Sequence, residues 1–187
     1  LTRGAPGTSS APRAAAHGAR SPRAALASIK LLVLDVDGVL TDGRLYYGPM
    51  GEELKVFHVR DGVGIRALRE RGVEVAIISG RRSRALARRA RDLGIRHIAQ
   101  GVGDKLAAFR TLCARLRLRA EECACVGDDS PDLPLMAVVG FAFAVADAHP
   151  LARAAAHRRT RLPGGVGAVR EVCDYLLTQL DRRLRAP

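Results

Sequence analysis

Five short apolar runs, four of them closing on a polar residue or glycine, restrict what this chain can fold into more than any other feature. Residues 31–35, 73–79, 95–100, 123–127 and 141–145 read as strands. Their apolar residues are consecutive rather than alternating, so both strand faces must be covered, as in a parallel sheet flanked by helices. Helical patterns fill the gaps: residues 83–93 repeat Leu86, Ala90 and Leu93 at helical spacing, and residues 105–116 repeat Leu106, Phe109, Leu112 and Leu116. The alternation predicts an α/β fold, a Rossmann-like three-layer sandwich with a central parallel sheet. Functional groups in such folds gather beyond the carboxyl ends of the strands. Residues 44–59, RLYYGPMGEELKVFHV, break the rhythm. Their β-favouring stretches on either side of Gly48, Pro49 and Gly51 predict a β-hairpin flap after the first strand, projecting over the same end of the sheet. A last helix is predicted over residues 166–184, with Val169, Val172, Cys173, Leu176, Leu177 and Leu180 as an apolar stripe for the core or for an oligomer seam.

A chain of 187 residues suits one domain with a sizeable core, expected over residues 30–187. Residues 1–29 read as a disordered, basic, low-complexity extension, because a stretch dominated by Ala, Arg, Pro, Ser and Gly buries too little apolar surface to offset its ordering entropy. No apolar run there is long enough for a secretory signal or a membrane helix, although an acid-free start with Arg and Ser also has the composition of an organellar transit peptide. The formal net charge of +12 raises the question of nucleic acid. Arg3, Arg13, Arg20, Arg23 and Lys30 precede the first acid, Asp35, and without them 26 basic residues face 19 acidic ones. With no Trp, three Tyr and four Phe, stacking platforms are scarce, and neither a nucleic-acid nor a membrane partner is expected. The four cysteines, Cys113, Cys123, Cys125 and Cys173, have no CxxC spacing and read as buried reduced thiols of a cytoplasmic protein.

The acids are more informative. LDVDGVLTDG places Asp35, Asp37 and Asp42 directly after an apolar strand, where unpaired carboxylates would repel one another and lose hydration. Asp35 and Asp37 are two apart, so both reach a common point at the strand end. An EF-hand reading fails, since Val39 stands where an oxygen ligand is needed and Leu40 where glycine is needed. A second cluster, Asp128, Asp129 and Asp132 in VGDDSPD, ends another buried run. Together the two clusters make a hard-oxygen site, and Mg2+ is the natural ion because it takes few protein oxygens and keeps waters and phosphate. Ser79 and Gly80 close the strand VEVAIIS with a hydroxyl and backbone N–H groups suited to a phosphate. Lys105 opens a helix, where its charge opposes the macrodipole unless it is turned toward anions.

Taken in order, DVDG at 35–38, SG at 79–80, DK at 104–105 and GDDSPD at 127–132 resemble the four motifs of the haloacid dehalogenase superfamily of phosphohydrolases. The resemblance implies that Asp35 is the nucleophile, forming an aspartyl phosphate, and that Asp37 is the general acid and base. It implies further that Asp35, the Asp37 backbone carbonyl and Asp128 hold magnesium, and that Ser79 and Lys105 bind phosphoryl oxygens. Only 43 residues separate Asp35 from Ser79 and 25 separate Ser79 from Lys105, leaving room for a flap but for no large cap domain. The finer stretches LDVDGVLTDG, GEELKVF, HVRDGVGIR, IISGR, GDDSPDLP, VADAHP and GGVGAVREVCDYLL are similar to the family of 3-deoxy-D-manno-octulosonate (KDO) 8-phosphate phosphatases.

That likeness implies a cytoplasmic homotetramer whose neighbouring subunits help close each site, acting on a small sugar acid phosphate in lipopolysaccharide inner-core synthesis. It also implies substrate contacts from His58, Val59, Arg60, Asp61 and Gly62, then Asp37, Arg66, Ser79, Gly80, Arg81, Arg89 and Lys105. Guanidinium groups suit a sugar acid because they bind carboxylates in a bidentate way. His58 stands where the family usually carries asparagine. The alternatives are a phosphatase for a related ester such as 2-keto-3-deoxynonulosonate 9-phosphate, and a non-catalytic oligomerisation module of the same fold.

Overall fold

The computed structural model describes Leu26, residues 28–49 and residues 53–184. The chain after Ile29 runs through β1 (Leu31–Leu34), β2 (Tyr46–Tyr47), β3 (Glu53–Leu54), α1 (Val59–Glu70), β4 (Glu74–Ser79), α2 (Arg84–Asp92), β5 (His97–Gln100) and α3 (Lys105–Leu116). It continues through β6 (Cys123–Gly127), α4 (Leu133–Met136), β7 (Phe141–Ala144), α5 (Pro150–Ala155), β8 (Arg158–Arg159) and α6 (Ala168–Leu184). Six of these strands form a parallel sheet in the order β5-β4-β1-β6-β7-β8. Helices cover it, as the uninterrupted apolar strands require: every residue of β1 is at most 1% exposed.

The order of strands positions the site. From β1 the chain builds outward to β4 and β5, then returns to the other side of β1 for β6, β7 and β8. Such a reversal opens a crevice at the carboxyl end of the strands on either side of it. Leu34 is aligned with Ile77 of β4 and with Val126 of β6. Asp35, Ser79 and Asp128 therefore emerge at the same edge, each one or two residues beyond that line. No large cap follows; the flap is the two-stranded hairpin β2/β3, pairing Tyr46 with Leu54 and Tyr47 with Glu53.

Several expectations shift. The hairpin ends before Val59, which opens α1 instead, with His58 as its cap, its Nδ1 accepting from the Arg60 N–H at 3.3 Å. Two glycines hide this helix in the sequence, since glycine disfavours helical backbone. The fold needs one of them: a Cβ on Gly64 would come within 3.0 Å of Cys173 Cβ and 2.9 Å of Arg170 Cδ, so α1 and α6 approach where no side chain fits. The α6 stripe is core, with Val169, Val172, Cys173 and Leu176 at most 1% exposed. α5 and the exposed β8 carry no apolar signal of their own. β8 is made by backbone pairing to β7, Phe143 with Arg158 and Ala144 with Arg159.

Leu26 and Ile29 lie in the core. The rest of the expected extension, apart from Ser28, is outside the described residues. All four cysteines are buried and free, with Cys113 and Cys123 Sγ atoms 3.8 Å apart. No helix among the described residues is long and apolar enough to cross a membrane.

Candidate active site

Asp35 leaves β1 into a tight loop whose shape depends on Gly38. Its φ of +90° suits glycine, and a Cβ there would lie 2.1 Å from Asp128 Oδ2. Thr41, buried at 2% exposure, fixes the far side of the loop by donating to the Val36 carbonyl and accepting from the Gly43 N–H. Asp42 Oδ1 accepts from the Arg44 N–H at 3.1 Å and turns the chain into the flap. A late loop braces the same turn: Gly165 N–H donates to the Val39 carbonyl at 3.0 Å, and Gly164 sits so close to the Gly38 carbonyl that no Cβ could be placed. Asp147 holds that loop by accepting from Gly164 N–H at 2.9 Å. The GG of GGVG and the aspartate of VADAHP thus brace the loop after β1 from over a hundred residues away, a role without a local sequence signal.

Three carboxylates, Asp35, Asp128 and Asp132, offer oxygens that all lie within 4.8 Å of one another. Lys105 Nζ stands among them, 2.9 Å from Asp35 Oδ1 and 2.7 Å from Asp132 Oδ1. Asp104 caps α3 by accepting from Ala107 N–H, which sets Lys105 at the first turn, pointing inward. The remaining Asp132 oxygen accepts from Asp128 N–H at 3.0 Å. Both Asp132 oxygens are therefore engaged with the protein, and Asp132 orients Lys105 and the Asp128 backbone. Asp129 is half exposed and bonds its neighbour Ser130.

The electrostatics follow from crowding. Burial, followed by the charge of Asp132, raises Asp35 to about 6, although Lys105 opposes the shift. Burial and the charges of Asp35 and Asp132 raise Asp128 to about 8. Burial alone would lower Lys105, but Asp35 and Asp132 outweigh it and hold the amine above its ordinary value. Near neutral pH one lysine does not balance three carboxylates, so the cluster favours either protons or a divalent cation. An all-oxygen donor set fits magnesium.

Asp37 faces the flap. Lys55, whose side chain is 2% exposed, contacts Asp37 Oδ1 through Nζ, and Arg81 Nε lies 3.7 Å from Asp37 Oδ2. Arg81 also donates to the Tyr47 hydroxyl at 3.0 Å, joining the loop after β4 to the flap. Lys55 is the residue that sequence reasoning missed. Its signal is a lone cation in the apolar run LKVF, where it turns inward while Leu54 and Val56 are more than 60% exposed. Ser79 is buried, with Oγ accepting from the Arg81 N–H at 3.3 Å, and Gly80 is exposed beside it.

Other expected substrate contacts are placed differently. Arg89 packs inward, donating to the His58 carbonyl at 3.4 Å and lying 5.9 Å over the Phe57 ring, where Gly62 leaves it space. Val59 and Arg60 are exposed. Asp61 is buried between helices, its Oδ1 accepting from Arg170 N–H at the start of α6 at 2.8 Å. Arg66 donates to the Asp92 carbonyl at the end of α2, toward the opposite end of the sheet. Within one chain, Asp61 and Arg66 are not brought to the carboxylates.

The haloacid dehalogenase-like hydrolase family model matches residues 55–140. KDO 8-phosphate phosphatase KdsC of Yersinia pestis is 54% identical over 156 residues, covering 83% of each chain. The chain belongs to the KDO 8-phosphate phosphatase family of haloacid dehalogenase-like hydrolases. It is accordingly a phosphoric monoester hydrolase. A crystal structure of the Yersinia pestis phosphatase superposes with a TM-score of 0.84 at 53% identity, covering 86% of both chains. The Moraxella catarrhalis phosphatase, solved with magnesium, phosphate and KDO, gives a TM-score of 0.83 at 41% identity, covering 88% of this chain and 96% of that one.

Proposed function

We propose that the protein hydrolyses KDO 8-phosphate to KDO and phosphate through an aspartyl-phosphate intermediate, as a cytoplasmic step of lipopolysaccharide inner-core synthesis. The observation that carries the chemistry is the buried Asp35–Lys105–Asp132 chain beside Asp128 at the carboxyl end of β1. Asp35 attacks phosphorus, and the sugar C8 oxygen leaves with a proton from Asp37. Asp37, again a carboxylate, then takes a proton from water as that water attacks the same phosphorus, which restores Asp35. Lys105 and Ser79 bind the equatorial oxygens and stabilise charge as it develops there. Asp35, Asp128 and the Asp37 carbonyl would hold magnesium, which supplies charge neutralisation between carboxylate and phosphate.

The sugar acid would meet the flap side, where Arg81 and Lys55 are cations and His58 and Arg89 line the junction of flap and α1. Val59 and Arg60 are exposed enough to serve a neighbouring subunit's site in a homotetramer. Asp61 and Gly62 act indirectly, by seating α1 on α6 and on Arg89. A magnesium-dependent phosphate-release assay tests the reading. KDO 8-phosphate should be cleaved with a higher kcat/KM than 2-keto-3-deoxynonulosonate 9-phosphate, and the reverse ranking would overturn the substrate assignment.

A further inference from the structure

An ammonium group taken out of water is costly unless an anion holds it, so a lysine that the fold buries is tied to its partner. The side chain of Lys55 is 2% exposed, and its Nζ contacts Asp37 Oδ1. The neighbouring chain fixes that position. Residues 54–57 alternate, with Leu54 and Val56 more than 60% exposed and Phe57 packed against the core. One residue further on, His58 caps α1. The cation is thus delivered by a segment anchored beside it rather than by the tip of the hairpin. Its effect falls unequally on the two oxygens of Asp37. Lys55 takes Oδ1, whereas Arg81 Nε stands 3.7 Å from Oδ2, beyond hydrogen-bond reach. The Asp37 side chain is 20% exposed, open enough for a substrate atom or a water to meet that second oxygen.

We propose that Lys55 is the positioning residue of Asp37: by holding Oδ1 it fixes the orientation of the carboxyl group and assigns proton transfer to Oδ2. The inference rests on the reading of Asp37 as general acid and base. In the first half-reaction the proton on Oδ2 passes to the ester oxygen as its bond to phosphorus breaks and the bond from Asp35 forms. In the second, Oδ2 takes a proton from water as the water oxygen bonds to phosphorus and the bond to Asp35 breaks. Lys55 acts only through Asp37. Proton transfer needs heavy atoms within about 2.6–3.2 Å of each other, and a misplacement of about 1 Å slows a reaction on the order of a hundredfold.

Lys55→Met, which keeps most of the side chain and loses its charge, tests this in the full chain with magnesium. Two esters are compared: the sugar phosphate that the native chain cleaves fastest, and p-nitrophenyl phosphate, whose leaving group needs no proton. With the sugar phosphate, kcat should fall about tenfold to a hundredfold while KM changes less than about threefold. With the aryl ester, the variant should release about one equivalent of p-nitrophenolate per site in a rapid burst and then turn over slowly, because only the step with water still needs Oδ2. The burst amplitude counts folded sites, so incomplete folding is separated from slow chemistry. Lys55→Arg, which restores a cationic donor, should recover most of the lost kcat. Equal losses on both esters without a burst, a raised KM at native kcat, or an arginine variant as slow as the methionine one would each overturn the proposal. Asp37→Asn separates the two readings. Native turnover in that variant removes Asp37 from acid and base work altogether, whereas a slow Asp37→Asn beside a native-like Lys55→Met overturns the role of Lys55 alone.

Discussion

Asp35, in its proposed role, combines two properties that conflict in most proteins, burial and the need to be ionised for attack. Burial and the charge of Asp132 raise the cost of ionising Asp35 while Lys105 lowers it, and the balance leaves Asp35 at about 6; burial and the charges of Asp35 and Asp132 leave Asp128 at about 8. Both values exceed those of an unfolded chain, about 4. Between about pH 4 and the raised values the metal-free folded state therefore binds more protons than the unfolded state, and stability falls as pH rises through that window. A divalent cation bound to the ionised carboxylates would reverse the trend. The rise in melting temperature on adding magnesium should thus be small near pH 5 and largest near pH 8, as read by calorimetry with a chelator control; an increment independent of pH would argue against the carboxylate site. Asp35→Asn should abolish phosphate release while preserving the circular dichroism spectrum, because asparagine keeps the shape and loses the proposed nucleophile. Near-normal turnover in that variant would remove Asp35 from the role.

The junction of α1 and α6 shows how a motif can look functional and act through packing. Asp61 Oδ1 takes the Arg170 N–H, one of the donors left open at the first turn of α6. Its Oδ2 is buried with no hydrogen bond among the described residues, and burial raises the carboxyl above its ordinary value. Asp61→Ala removes a helix cap and should cost about 1–2 kcal/mol, lowering the melting temperature by several degrees, with kcat/KM little changed. Asp61→Asn keeps the acceptor and discards the ionisation. Its stability relative to the native chain should therefore improve as pH rises from about 4 to the raised Asp61 value, and a variant whose Tm falls relative to that of the native chain over this range would overturn that role for Asp61. The sequence made the strands of the sheet and the motifs at their carboxyl ends legible, because continuous apolar runs and clustered acids are local signals. It concealed α1, β8 and the support given by Gly164, Gly165 and Asp147, whose causes are tertiary: close approach of backbones, pairing to a neighbouring strand, and a loop docked on the turn after Asp35. Lys55 was concealed for a related reason, since only the inverted facing of the hairpin reveals that its cation is the buried member.

That inverted facing bears on assembly. A surface hairpin of a monomer is expected to bury its apolar residues and expose its lysine, yet Lys55 is inward while Tyr47, Leu54 and Val56 are each more than 60% exposed. Val59 and Val63 on α1 extend the apolar surface at 75% and 48% exposure. Exposed apolar side chains on the flap and the first turns of α1 suit an interaction surface, and a two-stranded hairpin has little stability by itself. Packing of neighbouring copies against the flap would cover the patch and hold Lys55 and Tyr47 over Asp37 and Arg81. It would also supply the closure that a chain without a cap domain lacks. Oligomer and activity should then fall together. Val56→Glu places a charge on the outer face without touching the carboxylates, and if the proposed tetramer forms through the flap it should shift toward smaller species in light scattering. KM for the sugar phosphate should rise with that shift, while magnesium still raises the melting temperature because Asp35, Asp128 and Lys105 are untouched. A variant that dissociates yet retains native KM would show that each chain closes its own site; one that stays tetrameric would show that the interface lies elsewhere.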